Sequence, residues 1–517
     1  MHALQSHSRR GGLCSLLRHS SQQLRCPTVL LQPFVTQPVP DNRGIRKVAM
    51  EAAKGGVTSE LVNFVVSTEY ADLPAETIEI AKRCIVDGTA VMMAGSVEPA
   101  STILRELAVD NGGAEHARTL GKGSMKVPVH IAAQINGMSG HALDWDDTAL
   151  SEEKDRSVLI HPTMQPLCAC YALGEHLGSS AQDFLTAFIL GFEVQVKIAE
   201  SISAEHFTGG RGFHSSGTIG IFGAAMASAK LMGLDAKQTA NAMAIASTMS
   251  AGVGANHGTM SKPLNMSRAA ENGVTAARFA ARGMTGPANA LEAGRGFFEA
   301  FGGSYDPEKI IGRMGNPYAI VYPGTSIKPY PSGVVGHPGM DTMKKLVEKH
   351  NIQPDQVEKI KVLTGSNVIK PGPLRILHAN SELEAKFCVA FQMASIVLRR
   401  KAGLSEFTDA FVQSPECQEM QTKVEVAIDP EIDALGKGRI VSKIYLTTKD
   451  GQTYFEESDL HYRGGPKNPL TWDEVSEKFL DASQYVLPSD KSRAFLDLAR
   501  DFETLGSLSE LMDKVTA

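Results

Sequence analysis

Ser180-Ala-Gln-Asp183-Phe-Leu-Thr-Ala-Phe-Ile-Leu-Gly-Phe-Glu-Val-Gln-Val196 decides how most of this chain is read. A hydroxyl residue followed three positions later by an acid is a capping box, which satisfies the free N–H groups of a helix start, and a strongly apolar run from Phe184 to Val196 follows it. Asp235-Ala-Lys-Gln238 repeats the device ahead of Ala240–Met249. Small residues recur through Gly217–Ala229 and Ala269–Ala281, a composition that lets helix backbones approach closely. Further upstream, Leu73-Pro74 opens a helix with the proline suited to its first turn, and Ile78, Ala81, Ile85 and Thr89 continue at helical spacing. From Thr58 to about Pro287 the chain therefore reads as successive helices. The expected fold class is mainly α, with a large all-α helical domain over residues 50–322.

The character changes near Tyr322-Pro323-Gly324. A helix of the Asp341–His350 type is followed by Val357–Leu363, and then by Val424–Ile428 and Ile440–Thr448, all read as strands. Asp450-Gly451, between Ile440–Thr448 and Gln452–Phe455, signals a hairpin. Residues 323–465 are expected to form an inserted, smaller α+β domain. Two further helices, Thr471–Ala482 and Asp490–Leu505, are expected to return residues 466–517 to the helical domain.

At 517 residues, with 43% hydrophobic and 21% charged side chains, the composition is that of a soluble globular chain rather than a disordered one. The net charge of -6 is unevenly spread, because residues 1–50 carry +6 and the remainder -12. Such an acidic body is a poor match to nucleic acid. No stretch approaches the length of apolar sequence that a membrane span needs. Residues 1–48 are Arg-, Ser- and Gln-rich, lack acids before Asp41, and interleave leucines with Arg18 and Arg25, the composition of a transit peptide. Mitochondrial import is expected, with a cytoplasmic location if the leader is not functional. The seven cysteines form no C-x-x-C pair, so neither a disulfide nor a zinc site is expected.

Three stretches could carry chemistry. In His141-Ala-Leu-Asp144-Trp-Asp146-Asp147-Thr148, followed by His161-Pro162, three carboxylates within four residues repel unless donors or cations neutralise them. A substrate pocket, a hydrogen-bonded knot and a metal site all fit that pattern, although D-x-D-D lacks the DDxxD spacing that sets carboxylate pairs on one helix face. The second stretch is Gly209-Gly-Arg211-Gly-Phe-His214-Ser-Ser-Gly217-Thr-Ile-Gly220-Ile-Phe-Gly223. No strand precedes its glycines, and neither a P-loop nor a G-x-S-x-G elbow is present, which leaves a loop presenting His214 at a helix entrance. In the third, Lys262 precedes Pro263 and is expected in an extended or turn conformation, where its ammonium could enter a cleft. One cation, the imidazoles of His161 and His214, and the Asp144 carboxylate beside the Thr148 hydroxyl suit proton transfer on a small polycarboxylate.

These motifs, together with Lys328-Pro-Tyr-Pro331 and His337, resemble the MmgE/PrpD family in order and approximate spacing, from about Val57 to the C-terminal helices. That family includes 2-methylcitrate dehydratases and cis-aconitate decarboxylases, and the motifs lie nearer the latter branch. The resemblance implies a homodimer, each subunit with a large helical domain and a smaller α+β lid that hold the active site between them, and a lyase without metal or cofactor. It also implies a pocket lined by Asp144, Thr148, His161, His214 and Lys262, with His337 matching a later family histidine. The expected activity is loss of carbon dioxide from cis-aconitate or an alkylated analogue. Dehydration of a 2-alkylcitrate, an isomerase or epimerase reaction, and a non-catalytic carboxylate binder are the alternatives. Three departures stand out: Phe391 replaces a family tyrosine, Gly333 a family histidine, and the loop Ala149–Ile160 is longer.

Overall fold

The computed structural model describes residues 55–150, 159–207, 210–369, 372–436 and 438–516. The basic leader, Cys14, Cys26, Gly209 and the central part of the long loop, residues 151–158, lie outside them. Nine helices of eleven or more residues follow one another among the described residues of the first part: α1 (Val57–Ser67), α2 (Ala75–Gly95), α3 (Pro99–Asn111), α4 (Val129–His141), α5 (Met164–Leu177), α6 (Ala181–Ser201), α7 (Gly220–Leu231), α8 (Ala236–Met249) and α9 (Ser261–Ala281).

The capping box forms at α6, where Ser180 Oγ accepts from Asp183 N at 3.1 Å and Asp183 Oδ2 accepts from Ser180 N at 3.3 Å. Its apolar run is buried on every side, including Phe184, Phe188 and Phe192, so α6 is a core helix rather than an amphipathic surface one. Asp235 and Gln238 cap α8 in the same way. Pro74 sits one place before the first turn of α2, as its N-cap residue. The stripes of small residues bring α7 and α9 together. A Cβ on Gly273 would lie 2.7 Å from Ala225 N and 2.8 Å from Ile221 O, so only glycine permits this approach.

Next come α10 (His337–Lys349), β1 (Val357–Thr364), α11 (Val389–Arg399), β2 (Val424–Ile428), β3 (Ser442–Thr448) and β4 (Thr453–Glu457). The strands form one sheet in the order β2-β1-β3-β4, with β1 parallel to β2 and antiparallel to β3. The expected hairpin joins β3 to β4, and Gly451 supplies its left-handed residue at φ +87°. β3 starts two residues later than expected, at Ser442, which pairs with Thr364, the last residue of β1; Thr364 Oγ1 donates to Val441 O at 2.9 Å. Near the end of the chain come α12 (Trp472–Ser483) and α13 (Ser489–Arg500), followed by a short helix at Leu508–Met512. α13 stops short of the expected Leu505, and Lys82 Nζ takes the Arg500 carbonyl at 2.6 Å.

Buried apolar side chains fall into two clusters. One draws on residues from Val57 to Ile327 and again from Leu470 to Val515; the other spans Tyr330 to Tyr462. The mainly α reading of the fold holds for the described residues. Their five cysteines are buried free thiols, and none of their helices is long and apolar enough to cross a membrane.

Candidate active site

The site is built where α4 ends. His141 is the last residue of α4, and three residues on the chain turns through Asp144 at φ +53°, a left-handed conformation that asparagine and aspartate tolerate better than other side chains. That turn sends Asp144 and Asp146 to a common point. The loop is then laced to the segment after residue 322. Thr148 and Ser326 exchange backbone hydrogen bonds of 3.0 and 2.9 Å, and Lys328 Nζ donates to Asp144 O at 2.7 Å. On the other side Ala149 and Leu150 pair with Ile160 and Leu159, which pins the ends of the long loop and delivers His161.

Asp144 is the electrostatic hub. Its Oδ1 receives the Lys262 ammonium directly, lies 3.3 Å from Lys328 Nζ and faces His161 Nε2 at 3.9 Å. Burial opposes ionisation of Asp144, but Lys262 and Lys328 outweigh it and hold the carboxyl well below the usual carboxylate range. Asp146 gathers two imidazoles: His141 Nδ1 donates to its oxygens at 2.9 Å, and His161 Nδ1 lies 3.1 Å from Oδ2. Burial works against its charge as well, and the two rings hold it far below the ordinary value. His141 is pushed down to about 3, with burial the largest cause, so at neutral pH it is a neutral donor.

Asp147 points elsewhere. It accepts from Thr163 N at 3.2 Å, Thr163 Oγ1 at 2.7 Å and Thr325 Oγ1 at 2.7 Å, and burial raises it to about 7. It is therefore the hydrogen-bonded knot, while Asp144 and Asp146 face the lysines and imidazoles.

His214 precedes the helical turn Ser215–Thr218 at the N-cap position, the expected helix entrance. Its ring stacks on His141 with centroids 5.6 Å apart and meets His257 edge-on at 5.3 Å. Burial, reinforced by His141 and Lys262, holds it well below the ordinary histidine value. Its Nδ1 has no hydrogen-bond partner, which leaves a neutral imidazole nitrogen for a ligand. Thr148 Oγ1 lies 3.4 Å from His161 Nδ1. Within the group, His161 and His214 keep 8% and 6% of their surface exposed, Asp144 and Lys262 keep 4% each, and Asp146 and Asp147 keep none.

Asp144, Thr148, His161, His214 and Lys262 thus converge. His337 starts α10, its Nε2 lies 3.2 Å from Ser332 O and its ring packs edge-on to Tyr330, while Lys328 and Asp144 are among the charges that act on it. The conformation expected of Lys262 is corrected. It lies in the first turn of α9, where Pro263 is tolerated because that turn's N–H groups are free of helix partners in any case. Phe391 is buried between Phe407 and Phe411.

Sequence reading quoted Lys328 in its motif but gave it no role in the site, although Lys328-Pro329 repeats the Lys-Pro signal used for Lys262. It also missed His257, Phe387, Lys386 and Lys478. The Phe387 ring lies 5.7 Å from Lys262 Nζ and 6.1 Å from the His257 ring, forming an apolar wall.

A cation could be held by His141, Asp144, Asp146 and His161, whose ligand atoms lie within 4.8 Å of one another. The donor set fits poorly, because two ammonium groups already occupy Asp144 and both imidazoles already point a nitrogen at Asp146. The arrangement suits instead the binding of carboxylates by ammonium groups beside imidazoles that move protons.

Comparison with known proteins agrees in extent with this architecture. The chain is 26% identical to the cis-aconitate decarboxylase of Homo sapiens over 467 residues, covering 88% of this chain and 93% of that protein. The mouse protein of the same name is also 26% identical, and the cis-aconitate decarboxylase of Aspergillus terreus is 24% identical over 490 residues, covering 89% and 96%. The MmgE/PrpD N-terminal domain matches residues 59–310, which hold the four-residue acidic turn, both pocket histidines and Lys262, and the C-terminal domain matches residues 330–504. With both halves matched, the chain belongs to the MmgE/PrpD family.

Proposed function

We propose that the chain is a cofactor-independent lyase that removes carbon dioxide from cis-aconitate or an alkylated analogue. The observation that carries this reading is the Asp144 carboxylate held between Lys262 and Lys328 and facing the His161 ring. A polycarboxylate entering here meets two ammonium groups that bind its carboxylates. As the carbon–carbon bond to the departing carboxylate breaks, its electron pair passes to the allylic carbon and is delocalised through the alkene toward the carboxylate at its far end, one of the two that remain. An imidazole then delivers a proton to that carbon. We assign this step to His161, whose ring is flanked by the Asp144 and Asp146 carboxylates. His214 offers its unpartnered nitrogen to a substrate carboxyl or to the relayed proton.

Support comes from the named decarboxylases, which match most of the chain. The deciding experiment incubates purified protein with cis-aconitate, citrate and 2-methylcitrate in deuterated buffer, followed by NMR and carbon dioxide release. Carbon dioxide together with one deuterium at the former allylic carbon is expected from cis-aconitate. Interconversion of hydroxy acid and alkene would replace the proposal by a hydro-lyase, and isomer formation without carbon dioxide by an isomerase. No turnover on any of them would remove it.

The same reading takes residues 323–465 as a lid over the helical body, the working unit as a homodimer, and residues 1–48 as a mitochondrial leader. A fluorescent protein carrying residues 1–48 should co-localise with mitochondria, and a diffuse cytoplasmic signal would withdraw the leader.

A further inference from the structure

Six lysines are buried among the described residues: Lys82, Lys197, Lys262, Lys328, Lys386 and Lys478. Five of them face a carboxylate. Lys82 meets Glu503, Lys197 meets Glu200, Lys262 and Lys328 share Asp144, and Lys478 meets Asp87. Lys386, only 1% exposed, has no hydrogen-bond partner for its Nζ. Its ammonium lies 5.5 Å from the centroid of the Phe407 ring, a contact that offsets only a small part of the cost of burying a charge. Glu382 and Glu98 act on it at longer range, and neither reaches ion-pair distance. A buried ammonium left in this condition is a standing expense that packing does not explain.

Its place in the fold gives the reason. Lys386 immediately precedes Phe387, the apolar wall that touches Lys262 and His257. Its carbonyl accepts from Gly333 N at 3.0 Å, which joins it to the stretch that begins with Lys328. Asp144 and Lys262 are among the charges its ammonium feels. Two positions where this chain departs from its family border it as well: Gly333 through that backbone bond, and Phe391 through the shared Phe407 ring.

We infer that the Lys386 ammonium is a substrate-binding group, reserved for a carboxylate that Lys262 and Lys328, already engaged with Asp144, do not hold. The inference deepens the polycarboxylate reading of the site and rests on it. It assigns the ligand class more narrowly, to acids with a third carboxylate. Stability is given up in the free protein so that a charge stands ready for that group.

The test uses propane-1,2,3-tricarboxylate, which has neither alkene nor hydroxyl and cannot react, and glutarate, which has the same carbon chain without the central carboxylate. Dissociation constants are measured by calorimetry on the full protein and on Lys386→Met, Lys386→Arg and Lys262→Met. The wild type should prefer the tricarboxylate. Lys386→Met should weaken it by about 10- to 100-fold, the range of one charged hydrogen bond, leave glutarate within about threefold, and raise the Tm of the free protein. Lys386→Arg should keep most of the preference. A lysine with a structural role gives the opposite pattern, a lowered Tm and unchanged binding in Lys386→Met, and that result overturns the inference. If Lys262→Met weakens both acids while Lys386→Met weakens neither, the inference fails and the polycarboxylate site stands. If the wild type binds neither acid, both fail.

Discussion

Lys478 Nζ lies 2.5 Å from Asp87 Oδ1, a fully buried ion pair between α12 near the end of the chain and α2 near its beginning. The same ammonium donates to Trp145 O and to Lys328 O, each at 2.9 Å. Trp145 stands between Asp144 and Asp146, and Lys328 is one of the two cations on Asp144. One side chain from the last part of the chain thus fixes both halves of the charged centre without touching the place where a substrate would bind. Burial lowers the Lys478 pKa, and Asp87 opposes that shift.

Lys478→Met removes the cation and leaves the Asp87 charge buried alone, which should cost about 3–5 kcal/mol. Asp87→Leu combined with Lys478→Met should recover much of that loss, because the cost comes from the stranded charge. Chemical denaturation of the two single variants and the double variant measures the coupling. Activity should stay low in the double variant even where stability returns, since the Trp145 and Lys328 carbonyls have still lost their donor.

Gly273→Ala tests the close approach that delivers Lys262. In an isolated helix the change would stabilise by about 1 kcal/mol. Here the new Cβ would meet Ala225 N and Ile221 O at under 3 Å, both backbone atoms that cannot swing aside. A net loss of about 2 kcal/mol in thermal or chemical unfolding is expected. Turnover should fall as well, because α9 would be levered away from α7.

The helices were legible because their signals are local. Ser180 with Asp183 and Asp235 with Gln238 announce their starts within four residues, and the Asp450-Gly451 turn announces its hairpin in two. Asp144, Thr148, His161, His214 and Lys262 were legible because each lies in a stretch whose composition is odd for a surface or a core. Lys478 and Lys386 sit in ordinary-looking stretches. What distinguishes Lys478 is a bond to a carbonyl 333 positions away, and what distinguishes Lys386 is the absence of a partner, neither of which leaves a mark on neighbouring residues. The end of α13 was misjudged for the same reason, since Lys82, some four hundred residues upstream, takes its last carbonyl.

His161→Gln and Lys262→Met should separate roles within the centre. Removing the proton donor is expected to lower kcat by about 10²- to 10⁴-fold with little change in KM. Removing the ammonium should raise KM as well, and it leaves Asp144 with Lys328 as its remaining cation. Steady-state kinetics on cis-aconitate reads both, and equal effects on kcat and KM in the two variants would undo the division of labour.

The pH dependence of stability follows from which buried groups refuse to titrate. His206 and His257 are pushed down to about 4 and His141 to about 3, with burial the largest cause in each. Below about pH 6.5 the unfolded chain protonates these rings while the folded chain does not, so each one removes stability as pH falls from 6.5 toward its folded value, by about 1.4 kcal/mol per pH unit. Asp147, raised to about 7, has the opposite sign. Between pH 4 and 7 the folded chain keeps its proton and the unfolded chain has lost it, so this carboxyl adds stability as pH falls. His206 lies outside the charged centre, with Nε2 at 2.7 Å from Thr218 Oγ1 and Nδ1 at 3.1 Å from Phe301 O. Unfolding free energies measured from pH 7 to 5 should therefore fall on acidification in the wild type. They should fall less steeply in His206→Gln, by about 1.4 kcal/mol per pH unit, and more steeply in Asp147→Asn by a similar amount. Parallel curves for all three proteins would mean that these groups titrate in the folded chain much as they do in the unfolded one.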